Sequence, residues 1–256
     1  MTPSQSSAST LDQVLTVRSM NSVGLHNLLV LDAEIKTTAL ERLREVARTH
    51  YLSPDIVSRR LESIGASSTA AILKGHLPTS KTARSADFGE ILATEVAERK
   101  LGYEVPVRRL RWKDGRNMAL RGDDVVGIIR RTGAKVQLLK GEAKSRMRLD
   151  AGTVQEAADA LDRDRGRPGR HSVIFVADRL RELGRDDLAT ELEEAVLESF
   201  RGYTVEHMLV AVAGNDPAVL LRAHLLLCAK KRRKRHAVGV YVEDHAKAIA
   251  AVYAGM

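Results

Sequence analysis

Two short β-rich apolar runs, residues 125–129 and 136–139, flank a Thr132-Gly133 turn signal, and no other stretch constrains the fold as much. Their length, their β-branched content and the turn between them predict consecutive core strands of an antiparallel pair. A core strand has little room for unpaired charge. Yet Asp124 precedes the first run, and Glu142 and Lys144 extend the second at alternate positions, so both of these side chains leave one face of the sheet.

Two carboxylates on neighbouring strands repel each other and lose hydration unless positive charge lies between them. Oxygen donors of this kind suit Mg²⁺ or Mn²⁺, and a single cysteine, Cys228, excludes a thiolate-rich zinc site. A lysine two residues beyond a metal-binding carboxylate can orient or help deprotonate a water on the ion, and the matching chemistry is attack on a phosphodiester. The tripeptide alone does not decide the matter. Glu-x-Lys also occurs at Glu34-Ile35-Lys36 and Glu98-Arg99-Lys100, and only the third copy follows an Asp-bearing strand. The other open reading makes Asp124 a turn residue and Glu142 with Lys144 a cross-strand surface pair.

The chain of 256 residues is long enough to bury a sizeable core. Its net charge of +8 combines 41 basic with 33 acidic residues, and six of the positive charges are consecutive: Lys230, Lys231, Arg232, Arg233, Lys234 and Arg235. Either this run contacts phosphates of DNA, or it is a solvated helix end whose cations offset the macrodipole. There is no long apolar run, no hydrophobic signal segment and one cysteine, which predicts a soluble cytoplasmic protein with no membrane association.

Residues 1–10, rich in Ser and Thr, read as a disordered tail. Residues 11–78 read as mostly helical, with a short strand at 28–31, helices at 39–49, from Pro54 through Leu61 and at 67–74, and with His50 and His76 capping helix ends. Residues 79–256 read as the main domain. Its first helix, 82–100, carries a bulky stripe of Phe88, Ile91, Leu92 and Val96 and a smaller alanine stripe that contains Glu90. That carboxylate either faces a charged cluster or reaches water at the stripe's edge. Further on, the pattern predicts a strand at 103–111, with Trp112 in packing, and a helix at 150–161, with Gln155 and Glu156 able to face the carboxylates. An Arg-rich loop at 166–169 follows, then strands at 172–177, 208–213 and 238–242 alternating with helices, one of which runs from Asp216-Pro217 into the basic run. This alternation defines an α/β (α+β) class, a mixed central sheet flanked by helices on both faces.

A helix carrying Glu, then a three-strand meander with Gly-x-Asp on its second strand and Glu-x-Lys on its third, resembles the restriction-endonuclease-like core of the PD-(D/E)xK nuclease superfamily. The resemblance implies catalytic roles for Asp124, Glu142 and Lys144. It also implies a site for Mg²⁺ or Mn²⁺ formed by Glu90, Asp124, Glu142 and the backbone carbonyl of Ala143. Asp123 stands at the motif's prolyl position, which leaves a choice between Asp123 and Asp124; Asp124 directly precedes the apolar strand. More narrowly, Ala86-Asp87-Phe88-Gly89-Glu90, Arg121-Gly122-Asp123-Asp124-Val125-Val126-Gly127 and Gly141-Glu142-Ala143-Lys144-Ser145 resemble the nuclease subunit of the Hachiman anti-phage defence system. That likeness, strong over residues 81–164, implies a bacterial deoxyribonuclease effector associated with a superfamily 2 helicase. Two other classes stay open. A nuclease fold without chemistry, serving in DNA binding or docking, is expected to lack an acid or the lysine, and none is missing. A stand-alone restriction endonuclease needs a larger recognition region than the residues before Lys81 supply.

Overall fold

The computed structural model describes residues 14–35 and 37–256, so the tail expected at 1–10 lies outside the described residues. Six strands form one sheet: β1 (Leu15–Val23), β2 (His26–Ala33), β3 (Val125–Arg131), β4 (Ala134–Arg146), β5 (Val205–Ala213) and β6 (Arg235–Val242). Their spatial order is β1-β2-β6-β5-β4-β3. The central strands β2, β6, β5 and β4 run parallel, and an antiparallel hairpin closes each edge. At one edge β3 and β4 turn at Thr132-Gly133, with Gly133 in the left-handed region at φ +73° that a glycine adopts without strain.

Helices cover both faces, as the alternation of strand and helix patterns predicts. Helix α1 (Thr37–Tyr51), α2 (Pro54–His76, broken at Gly65) and α3 (Lys81–Arg99) follow β2; α4 (Ala151–Gly166), α5 (Arg170–Glu182) and α6 (Asp186–Leu197) follow β4; α7 (Ala218–Leu227) precedes β6 and α8 (His245–Ala254) ends the chain. On one face Phe88, Ile91 and Leu92 of α3 and Ile249 and Val252 of α8 pack against Leu29, Leu31, Val210 and Val240. On the other, Val154 and Leu161 of α4 and Leu221 and Leu225 of α7 cover Leu28, Val30, Leu209 and Ala237. A third cluster joins Val126, Ile128 and Leu138 to the α5–α6 hairpin. Each such aliphatic side chain contributes roughly 1.5–3 kcal/mol through burial.

Several sequence expectations are corrected. Residues 103–111 form no strand: Pro106 has no N–H for a ladder, and only an isolated bridge between Glu104 and Ile128 precedes a 3₁₀ turn at Arg109–Trp112, so the meander is reduced to two strands. Residues 172–177 are helical within α5, because Val173, Val176, Ala177 and Leu180 are buried at helical spacing. Helix α7 stops at Leu227, before the basic run, which forms the connection to β6. The helices expected at 54–61 and 67–74 are one element broken at Gly65, whose φ is +77°. His50 caps no carbonyl among the described residues; its Nε2 lies 2.9 Å from Glu95 Oε1. Between residues 11 and 78 the sheet takes more than the short strand expected at 28–31. Strand β1 is exposed along nearly all of its length except at its two ends and so carries no strand pattern, while β2 is a near-continuous buried run pairing with β6.

Candidate active site

Strand β4 pairs with β3 only as far as Gly141, so its later residues keep β5 on one side and an open edge on the other. Glu142 and Lys144 occupy that overhang and alternate onto the face covered by α4. There the Lys144 ammonium lies 3.1 Å from Glu142 and 2.8 Å from Glu156. Burial opposes the charge on Lys144, but the bonds to Glu156 and Glu142 outweigh it and hold the lysine above its ordinary pKa. Gln155, the other α4 candidate, is turned to Asp159 instead.

Asp124 sits where β3 has not yet begun, in the gap beside the overhang. Its Oδ2 accepts the Ala143 N–H at 2.9 Å, and its Oδ1 is 3.9 Å from Arg109. Glu90 arrives from α3 on the opposite face. Gly89 allows this approach: a Cβ there would stand 3.2 Å from the Ser145 Cβ, tight enough to push the helix off β4. A mid-helix glycine costs about 1 kcal/mol relative to alanine, and the close helix–strand contact is what it permits.

Asp124 links the other two acids electrostatically. Glu90 is raised to about 8, first by burial, with Arg109 opposing and Asp124 and Asp87 adding to the rise. Glu142 is raised to about 7, again first by burial and then by Asp124, with Lys144 opposing. Asp124 itself is raised by burial against the Ala143 N–H, Arg109 and Lys144. Carboxylates that hold one another's protons on are short of positive charge, and their hard oxygens match a divalent cation in donor chemistry. Among the described residues no three His, Cys, Asp or Glu side chains are already gathered to hold an ion. The fit is therefore one of donor type and charge.

The two neighbouring aspartates have different surroundings. Asp123 is buried, its Oδ2 accepts the Gly169 N–H at 2.6 Å and its Oδ1 is 3.5 Å from Lys140, so its carboxylate fixes a loop. Asp124 is left for the cluster.

Three supporting residues escape a reading of the sequence. Buried Arg109 donates to the Asp123 and Arg121 carbonyls and so fixes the backbone that carries Asp124. Lys113 donates to both oxygens of Asp87, at 2.8 and 2.9 Å, and Tyr51 adds a third bond to that carboxylate. Asp87, three residues before Glu90 on α3, was the one available signal. Trp112 is in packing, edge-on to Phe175.

The basic run is divided. Arg235 is only 2% exposed, with Nη2 on Asp162 and His207 and Nη1 on His224. Lys231 pairs with Asp162 and Lys234 with Glu206. Lys230, Arg232 and Arg233 form no ion pair among the described residues. The expectation of six cations facing DNA is corrected for Arg235, which is a core residue.

Fold and site together define a mixed α/β protein with three electrostatically linked carboxylates and a lysine at the open edge of its sheet. The chain belongs to the HamA family, whose model matches residues 9–256, and is thereby a component of Hachiman anti-phage defence, a multi-protein system. No curated protein matches it. Among the described residues no helix is long and apolar enough to cross a membrane.

Proposed function

We propose that the protein is a metal-dependent deoxyribonuclease, the effector of its defence system, acting on DNA together with a superfamily 2 helicase. The observation that carries this reading is the placement of Asp124 beside the open overhang of β4, its Oδ2 accepting the Ala143 N–H at 2.9 Å, where Glu142 and Lys144 stand 3.1 Å apart and the buried Glu90 approaches from α3. Asp124, Glu142 and the Ala143 carbonyl would hold Mg²⁺ or Mn²⁺, with Glu90 completing its surroundings. A divalent ion there supplies Lewis-acid polarisation of the phosphodiester and a water of lowered pKa. Lys144, kept protonated by Glu156 and Glu142, contributes a positive charge to phosphate oxygens and orients the attacking water. Arg109 fixes the backbone of Asp123, so Asp124 stays in place while the charge of the site changes.

A plasmid-nicking assay with Mg²⁺ tests the reading. Lys144→Ala and Glu142→Ala are expected to lower cleavage by about 100-fold or more, with circular dichroism unchanged. Cleavage at the wild-type rate by both variants removes the assignment. Loss of the wild-type activity in EDTA and its return with Mg²⁺ or Mn²⁺ is the second expected result.

A further inference from the structure

Where α4 loses helical geometry at Arg163 and the chain turns into α5 it reads Arg163-Asp164-Arg165-Gly166-Arg167-Pro168-Gly169-Arg170, and it is strapped to the sheet from below. Lys140 donates to the carbonyls of Arg163 and Arg167 at 3.1 and 3.0 Å, His207 Nε2 is 2.8 Å from the Gly166 carbonyl, and Asp123 accepts from Gly169. These bonds hold Asp164 and Arg165 in the left-handed region, at φ +55° and +59°, where non-glycine residues are strained.

Arg233, from the basic run, lies over this loop. Its Nη1 stands 3.0 Å from where a Cβ on Gly166 would be, and that nitrogen is buried with no hydrogen-bond partner. Burial, and then the charge of Arg167, lowers the pKa of Arg233. The acid whose charge acts on Arg233, Asp162, is already bonded to Lys231 and Arg235. Arg233 thus lies over the residue that precedes Arg167, with its Nη1 buried and without a hydrogen-bond partner among the described residues. A guanidinium fork of this kind matches the oxygens of a phosphate.

We propose that Arg233, seated over Gly166, and Arg167, the next residue of the loop, form a phosphate-binding site separate from the carboxylate cluster. The phosphate belongs to a nucleic-acid backbone or to a free phosphate compound; the first source rests on the nuclease reading above, the second does not. Arg165 and Arg170 border, with Arg167, a cavity of about 270 Å³ along which a strand could continue.

The test uses the full chain in EDTA, without turnover. Binding of a fluorescein-labelled DNA duplex is titrated at several NaCl concentrations for wild type, Arg167→Gln, Arg233→Gln and the double variant, with Arg222→Gln on α7 as a charge control. Each single variant is expected to reduce the log–log salt slope by about 0.9, one phosphate contact on duplex DNA, and the double variant by no more. In parallel, inorganic phosphate is expected to raise the Tm of wild type but not of Arg233→Gln. A phosphate-dependent Tm with an unchanged duplex slope assigns the site to a free phosphate compound. Unchanged slopes together with equal phosphate responses in all proteins overturn the site, as does an equal loss of slope in Arg222→Gln. Removing an unpartnered guanidinium should leave the Tm without phosphate as high as wild type. A lowered Tm with a normal slope would make Arg233 a packing residue and overturn the proposal. Binding as expected by a protein that cuts no DNA removes the nuclease reading and keeps the site.

Discussion

At Asp123 and Asp124 one step along the chain changes a carboxylate's surroundings. The first accepts a backbone N–H from the arginine loop and sits near Lys140; the second accepts the Ala143 N–H and is exposed to the charges of Glu90 and Glu142. Asp123→Asn keeps an acceptor for the Gly169 N–H but removes the opposite charge beside buried Lys140, so it should lower stability by about 1–3 kcal/mol, the cost of leaving a buried group short of its partner. Asp124→Asn keeps an acceptor for Ala143 and removes a charge from a crowded cluster, so its Tm should equal or exceed that of wild type while cleavage falls about 100-fold. Thermal melts beside the nicking assay check both, and the opposite pattern would exchange the two roles. Glu142 and Lys144 were legible because strand alternation reports a face directly. Arg109 and Lys113 were not, since they lie in a segment without regular period and reach partners by tertiary contact.

The error at α5 shows why apolar runs mislead at the scale of an element. Val173-Ile174-Phe175-Val176-Ala177 is rich in β-branched and aromatic residues and short enough for a strand, but the burial repeats at helical spacing through Leu180. A strand would place Val173 and Val176 on opposite faces; the helix places both against α6 and β3. Val173→Ala and Val176→Ala are each expected to cost about 2 kcal/mol, and Ile174→Ala, on the outer face, about 0.5 kcal/mol or less. Urea unfolding gives the three values, and a large loss at Ile174 with a small one at Val176 would contradict the helical packing. Strands β3, β4, β5 and β6 and helix α3 were readable because their buried residues lie at regular spacing and their ends carry turn or cap signals. Strand β1 was hidden by its exposed face, and the strand expected at 103–111 does not form because Pro106 cannot donate to a ladder.

For the molecule as a whole, Arg235 ties β6 to its surroundings by donating to His207 and His224, and burial together with its charge disfavours a proton on either imidazole. His207 is lowered to about 3, by burial, with the bond to Gly166 opposing and the charge of Arg235 adding to the drop; His224 is lowered to about 4, by burial and then Arg235. Unfolded histidine takes a proton near pH 6.5. Stability from these two residues is thus fully present above about 6.5 and is lost as pH falls toward 4 and 3. Glu90 and Glu142, raised to about 8 and 7, act in the opposite sense and favour the fold as pH falls. The histidine contribution is isolated by comparing wild type with His207→Gln/His224→Gln. Between pH 7 and 5 the Tm of wild type should fall relative to the variant, and parallel curves would contradict neutral buried histidines.

The same sheet that buries this polar node leaves the end of β4 open, and what that open edge binds decides the chemistry. Crystals grown with Mn²⁺ and measured for anomalous scattering test this most directly. The predicted result is a peak bounded by Asp124, Glu142 and the Ala143 carbonyl, with Glu90 facing it, and its absence in Glu142→Gln. A well-occupied Mn²⁺ elsewhere on the protein, with no density among these three carboxylates, would contradict the metal centre.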